Sequence, residues 1–393
     1  MANNRRLWQL SAPLLTFTLL SVGGLLYASW ALSDPNFFFP DPYRWVALWS
    51  LAILLIAGFF SSGLVRANLV IGLALIPCAG LLLGELSARG GGQAERIQAS
   101  DDPLLRYHYR PGHQTHDGFP INSQGLWDLE RPLEKPPGTF RVALLGDSVP
   151  NDPTIPFEER FPQRVEAALR AQTGAPVEVI NVSCEGYNTV QEVRLLETVG
   201  LRYQPDLTVL TFVGNDPFIQ DGGHRVIGNS AFAFGLLGAL ATTFGRSCAL
   251  MQRLYDGDAY HLTVTQPLRH LALLSERHGF PAQVVTFPII TDFEDPICLE
   301  IYDQVLATAA SVGLPGANAL TQFEGEDFRD FLKPQDPGDF THPNSEGQAR
   351  YAAAIVEAIL PTLQAKIDAT RGAETGLEEG VDEGGGPLPG DDH

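Results

Sequence analysis

The chain has 393 residues, 45% of them hydrophobic and only 18% charged, with a formal net charge of −20. That length allows one large domain or two small ones. The acidic balance argues against nucleic acid as a partner, because binding phosphates takes clustered Lys and Arg.

The apolar excess is concentrated at the start. Three runs, about residues 7–32, 45–65 and 67–86, each reach the roughly 20 residues that a helix needs to cross a bilayer core. A cleaved signal peptide has a shorter apolar centre and a small-residue cleavage site. Residues 1–87 therefore read as a membrane anchor of three transmembrane helices, with the lipid bilayer as its partner. Arg5 and Arg6 precede the first run, and Arg66 lies between the second and third. The positive-inside rule puts these three in the cytoplasm, although Arg44 and Arg89 fall on the other side. Everything after residue 90 is then expected on the extracytoplasmic, periplasmic face of the cell (inner) membrane.

Residues 88–100 read as a flexible linker, from Ala88-Arg89-Gly90-Gly91-Gly92-Gln93. From Asp101 to Gly138 the chain is rich in turn residues and aromatics, and is expected to form short strands and loops packed on the next domain. His108, His113, His116 and Asp117 lie in this stretch. Loop histidines without a helix or strand to fix their geometry read as structural, so neither metal nor cofactor is expected.

From Phe140 the pattern changes. Continuously apolar runs at 141–145, 177–182, 207–213 and 283–289 alternate with helical patterns around 161–171, 190–201, 265–278 and 299–310, and a last helix is expected over 345–365. Such alternation indicates an α/β domain with a doubly wound parallel sheet, over residues 139–366, whose site lies at the carboxyl ends of the strands. An insertion, about 217–262, interrupts it. Its apolar patch, residues 231–240, is too short to cross a membrane; a core or surface helix is the plain reading, and a lid over the site or a surface resting on the bilayer is slightly favoured over it. Residues 367–393, glycine-rich and acidic (Glu374, Glu378, Glu379, Asp382, Glu383, Asp391, Asp392), are expected to be disordered.

The four cysteines (Cys78, Cys184, Cys248, Cys298) show no CxxC pair and no zinc spacing. In an extracytoplasmic domain Cys248 and Cys298 could pair. His224, His261, His270 and His278 have no matching partner in the sequence and read as structural.

The expected strand ends carry the chemistry. Gly146-Asp147-Ser148 follows the first strand, Asn181-Val182-Ser183-Cys184-Glu185-Gly186 spans the end of the second, and Gly214-Asn215-Asp216 follows the third. Asp339-Phe340-Thr341-His342-Pro343 stands before the last helix. A serine hydroxyl needs a base to take its proton as it attacks. Ser148 is the candidate nucleophile, expected to open a helix whose N-terminus favours negative charge. His342 is the candidate base, and Asp339 orients its ring. The backbone N–H groups of Ser148 and Gly186 and the side-chain amide of Asn215 can supply an oxyanion hole.

These blocks resemble those of the SGNH (GDSL) hydrolase superfamily, and the likeness spans about residues 140–365. Val149-Pro150-Asn151 after the serine, and Gly214 directly before Asn215, depart from its usual wording. The resemblance implies a flavodoxin-like sheet and the same Ser148–His342–Asp339 triad. Together with the anchor expected over residues 1–87, it implies an esterase acting on an O-acyl, chiefly O-acetyl, ester of an envelope glycan or lipid. Two alternatives stand beside it. One is an O-acyltransferase that moves an acyl group to an exported polysaccharide with a membrane acyl-transfer partner. The other is an inactive module that binds glycan or another protein.

Overall fold

The computed structural model describes residues 96–115, 118–119, 121–214, 216–217, 252–255, 257–336 and 339–379. The three apolar runs at the start, the linker up to residue 95, the patch at 231–240 and the tail beyond 379 lie outside these. Among the described residues no helix is long and apolar enough to cross a membrane.

The described residues up to Arg110 belong to one compact unit and those from Pro111 onward to another. In the first, β1 (Ile97–Ala99) pairs antiparallel with β2 (Tyr107–Tyr109), Ile97 opposite Tyr109. The expected linker therefore ends earlier than its composition suggests. The alternating tyrosines of β2 give Ile97 and Ala99 a strand to pair with, and a ladder replaces free backbone.

The second unit is built on a five-stranded parallel sheet. Its strands are β3 (Phe140–Gly146), β4 (Val177–Ser183), β5 (Leu207–Val213), β6 (Ala282–Phe287) and β7 (Gly316–Asn318), in the order β4-β3-β5-β6-β7. The chain steps from β3 out to β4, then crosses back past β3 to β5. The order of winding thus reverses between β3 and β5, the place where doubly wound sheets open a crevice at their carboxyl ends.

Five helices flank the sheet: α1 (Phe161–Thr173), α2 (Thr189–Thr198), α3 (Gln266–His278), α4 (Pro296–Ser311) and α5 (Ser345–Glu379). Local chemistry sets their ends. Asn188 and Gln191 form a capping box on α2, Asp295 caps α4, and Gly174 and Gly279 close α1 and α3 in the left-handed region. α1 and α5 pack on each other over one face of the sheet. There Val142 and Leu144 of β3, Val177 and Val179 of β4 and Val209 of β5 meet Val165 and Leu169 of α1. In α5 every fourth residue (Tyr351, Ile355, Ile359, Leu363, Ile367) is buried, each worth about 1.5–3 kcal/mol of transfer free energy. α2, α3 and α4 contact the sheet and one another, and the intervening strand residues Leu145, Val182, Leu210 and Val284 are buried too.

The expected strands and helices over 140–311 form within a few residues of their sequence boundaries, and three differences are informative. β7 has no apolar run to announce it. Gly-Ala-Asn forms a strand because Gly316 admits Leu306, whose Cδ2 lies 2.6 Å from where a Cβ would sit. α5 continues well past residue 365, since Ala, Lys, Leu, Arg and Glu favour helix enough to carry it through Gly372 and Gly376. The third concerns Ser148. It is followed by a three-residue 3-10 turn, Val149–Asn151, rather than by a helix. Pro153 forces its predecessor Asp152 into extended backbone (ψ 111°), and the turn stops there. A turn this short has no aligned dipole, so charge stabilisation at Ser148 has to come from individual donors.

Residues 111–138 pack onto the sheet unit. Trp127 is fully buried, its ring lies 4.7 Å from the Arg160 guanidinium, and Asp128 accepts from the Asn181 backbone N–H at 2.9 Å. Burial raises the Asp128 carboxyl to about 6, against the pull of Arg131 and two backbone donors. At the amino end of β3, Arg141 is buried completely. It pairs with Glu178 (2.8 Å) and donates to the carbonyls of Leu133, Tyr203 and Pro132 at 2.8–2.9 Å. Cys298 is disulfide-bonded to a partner outside the described residues, and Cys184 is buried and forms no disulfide.

Candidate active site

Ser148 is placed by the last turn of backbone after β3. Gly146 is required there: a Cβ would lie 2.7 Å from Thr211 Oγ1 and 2.8 Å from Pro150 Cγ. The Thr211 hydroxyl donates to the Leu145 carbonyl at 2.7 Å, which fixes β5 against this end of β3. Asp147 accepts from Val149 N–H at 3.0 Å and so shapes the turn. Gln348, at the start of α5, accepts from Phe161 N–H and donates to the Val149 carbonyl. The nucleophile's turn is thus tied to the helix that follows the candidate base.

The candidate base is held by its own loop. Ile290 N–H donates to the Phe340 carbonyl at 2.7 Å, pinning the Asp339–His342 segment just beyond β6. Asn344 accepts from Gly347 N–H and donates to the carbonyls of Asp330 and Leu332. The loop before Asp339 is thereby fastened to the N-terminus of α5.

These supports bring Ser148, His342 and Asp339 into one chain of contacts. Asp339 Oδ1 and Oδ2 lie 2.9 and 3.0 Å from His342 Nδ1, and His342 Nε2 lies 2.7 Å from Ser148 Oγ. Asp339 Oδ1 also accepts from the backbone N–H groups of Thr341 and His342. An ionised carboxylate only accepts, so Nδ1 carries the ring proton and Nε2 is left to accept from the serine hydroxyl. Burial opposes ionisation of both partners, yet each stabilises the other's charge. Asp339 stays below the ordinary carboxylate range with help from His342 and Lys333. His342 lies above the ordinary histidine value, through Asp339 and Asp152 and against Lys333.

Gly186 occupies the third position of a turn closed by Tyr187 N–H donating to the Cys184 carbonyl (3.1 Å), and its φ of 72° favours glycine. The β3–β4 register pairs Gly146 with Ser183, so this turn and Ser148 leave the sheet side by side. Asn215 lies outside the described residues, directly after Gly214 at the end of β5.

Two groups of residues at this end escaped the sequence. Lys333, nearly buried, lies 2.7 Å from Asp339 Oδ2 and 3.0 Å from Asp152 Oδ2. Its only sequence signal is a lone lysine in an acidic stretch, six residues before Asp339. The second group is three buried carboxyls, Asp147, Glu192 and Asp216. Burial, then the charges of Asp216 and Asp147, push Glu192 well above the ordinary range, and Asp216 is raised likewise by burial and Asp147.

Three of the histidines read as structural have local polar partners. His108 lies 2.8 Å from the Tyr109 carbonyl, His261 2.8 Å from Gln266, and His270 3.7 Å from Glu197. His116, Asp117 and His224 lie outside the described residues. Among the described residues no group of three His, Cys, Asp or Glu is arranged to hold a metal ion.

No protein-family model matches the sequence, and no curated protein matches it. Among solved structures, the chain is similar to the esterase EstA from Pseudoalteromonas sp., at 14% identity over 57% of this chain and 98% of that one, with a TM-score of 0.35. A carbohydrate acetylesterase family member from Sinorhizobium meliloti matches at 15% identity over 58% and 99%, TM-score 0.35. A mutant acetyl-xylooligosaccharide esterase from Geobacillus matches at 14% over 56% and 94%, TM-score 0.37. Likenesses this distant leave reaction and substrate to be argued from the site.

Proposed function

We propose that the protein is a serine ester hydrolase of the SGNH type, with Ser148 as nucleophile, His342 as base and Asp339 as its orienting carboxylate. The observation that carries this reading is the 2.7 Å contact between His342 Nε2 and Ser148 Oγ, with Asp339 on the ring's other nitrogen. An isolated serine and a histidine satisfied elsewhere would show no such alignment.

The chemistry follows from the geometry. Ser148 Oγ attacks the ester carbonyl as its proton passes to His342 Nε2, and Asp339 stabilises the resulting imidazolium. The tetrahedral oxyanion is met by the backbone N–H groups of Ser148 and Gly186 and by the amide of Asn215. Collapse breaks the C–O bond, and the alcohol leaves with the proton from His342. Water, deprotonated by the same imidazole, then releases the acid and restores Ser148.

The substrate is an O-acyl, chiefly O-acetyl, ester of an envelope glycan or lipid, reached by a catalytic domain outside the cytoplasm and anchored by residues 1–87. The disulfide at Cys298 supports that placement, because such bonds persist in oxidising compartments. The three apolar runs support the anchor.

A fluorophosphonate probe tests the nucleophile: the wild-type chain should be labelled and Ser148→Ala should not. Equal labelling of both, or of neither, overturns the reading. Turnover of an activated aryl acetate, with and without an oligosaccharide, tests the acceptor. Transfer to sugar that outpaces hydrolysis would replace the esterase with an O-acyltransferase.

A further inference from the structure

The triad has an unexpected neighbour. Lys333 is one of the few buried cations among the described residues, and its ammonium lies between two carboxylates, Asp152 on one side and Asp339 on the other. Asp152 is itself buried, and its other oxygen accepts from the backbone N–H and hydroxyl of Thr154. The contacts run Asp152–Lys333–Asp339–His342–Ser148 without a break. On Asp339 they divide cleanly: Oδ1 takes two backbone N–H groups and the ring, while Oδ2 takes the ring and the lysine. The carboxylate is therefore held at both oxygens and cannot swing from His342 without losing the ammonium.

We infer that Lys333 is a positioning residue for the triad: anchored by Asp152, it fixes the Asp339 carboxylate against His342 and offsets part of the negative charge facing that imidazole. This rests on the triad reading above. The charged groups facing the ring are Asp339, Asp152 and Lys333, and two carboxylates with one ammonium leave a net charge of about −1. Without the ammonium the ring would face two carboxylates and bind its proton too tightly to serve as a base near neutral pH. A lysine that merely joined two loops would leave the ring's basicity alone.

Opposite substitutions separate these roles. In the full-length chain, with an activated aryl acetate, Lys333→Met should move the acid limb of kcat/KM upward by about one pH unit, and Asp152→Asn should move it down. The double variant restores the net charge and should return the limb to near its wild-type position. Its kcat should stay about tenfold low, because the carboxylate has lost a support, while KM changes little. Lys333→Arg keeps the charge and should keep the limb. Should Lys333→Met fail to fold, Asp152→Asn and Lys333→Arg still decide: an unmoved limb in the first, or one displaced upward in the second, overturns the inference. So does a Lys333→Met protein that loses thermal stability with its limb unchanged. Hydrolysis that survives in the Ser148→Ala variant sinks the triad reading instead, and the inference with it.

Discussion

Each end of the sheet carries a buried cation, and the two are used differently. Arg141, at the amino end of β3, spends its fork on three backbone carbonyls and Glu178. Neighbouring pairs, Arg131 with Glu166 and Lys135 with Asp206, extend that network across the segment before β3. Lys333, at the carboxyl end, donates to two carboxylates, one of which contacts the candidate base directly. A planar guanidinium suits a fixed set of carbonyls, whereas an ammonium acts as a point charge. The first arrangement secures a loop to the sheet. The second, on the inference above, sets a charge balance beside the candidate triad, so damage to the two ends should be read by different measurements.

The largest separation is expected from Ser148→Ala: kcat should fall by about 10⁴-fold or more, while the thermal midpoint barely moves. Steady-state kinetics beside calorimetry would show it, and comparable losses in both would erase the contrast between the ends. Arg141→Met is the converse. It strands three carbonyls and half of Glu178's partners, and should cost about 3 kcal/mol in chemical denaturation, leaving the pH profile of the surviving activity in place. Gly146→Ala probes where the classes meet. Its Cβ would press on Thr211 and Pro150, costing about 1–3 kcal/mol, and it should lower kcat because the displaced atoms carry Ser148.

Glu192→Gln is expected to have the smallest effect, and its sign depends on pH. Burial holds Glu192 protonated in the folded chain well above its ordinary value. The folded state therefore binds more protons than the unfolded one, and this group's contribution is present at acid pH and lost as pH rises through the folded value. Glutamine never ionises, so the variant should lose less stability than wild type as pH rises above the ordinary glutamate range. A steeper alkaline loss in the variant would show that Glu192 is ionised in the fold.

The sequence made the sheet visible wherever burial on both faces demanded a largely apolar run, as in β3, β4, β5 and β6. It made α1 and α5 visible through their periodic stripes. β7 stayed hidden because its strand identity rests on a neighbour's side chain, Leu306, and not on its own composition. The candidate triad was legible because Asp339 and His342 sit three residues apart and Ser148 follows a glycine after a strand. The support behind it was not. Asp152 and Lys333 meet across 181 residues, and neither carries a local pattern. The expected helix after Ser148 failed on a local rule that was present in the sequence, the extended backbone imposed by Pro153 on Asp152.

Ser148 and His342 touch across 194 positions of chain. Synthesis at about 5–20 residues per second delivers the serine some ten to forty seconds before its base, and until the loop beyond β6 docks the serine is an ordinary alcohol. Such long-range pairing folds slowly, because loop closure precedes the contacts that reward it. On the triad reading, the unfinished chain therefore carries no activated Ser148. A reagent that reacts only with an activated serine would count completed molecules and pass over partly folded ones, giving a direct clock for the last step of folding.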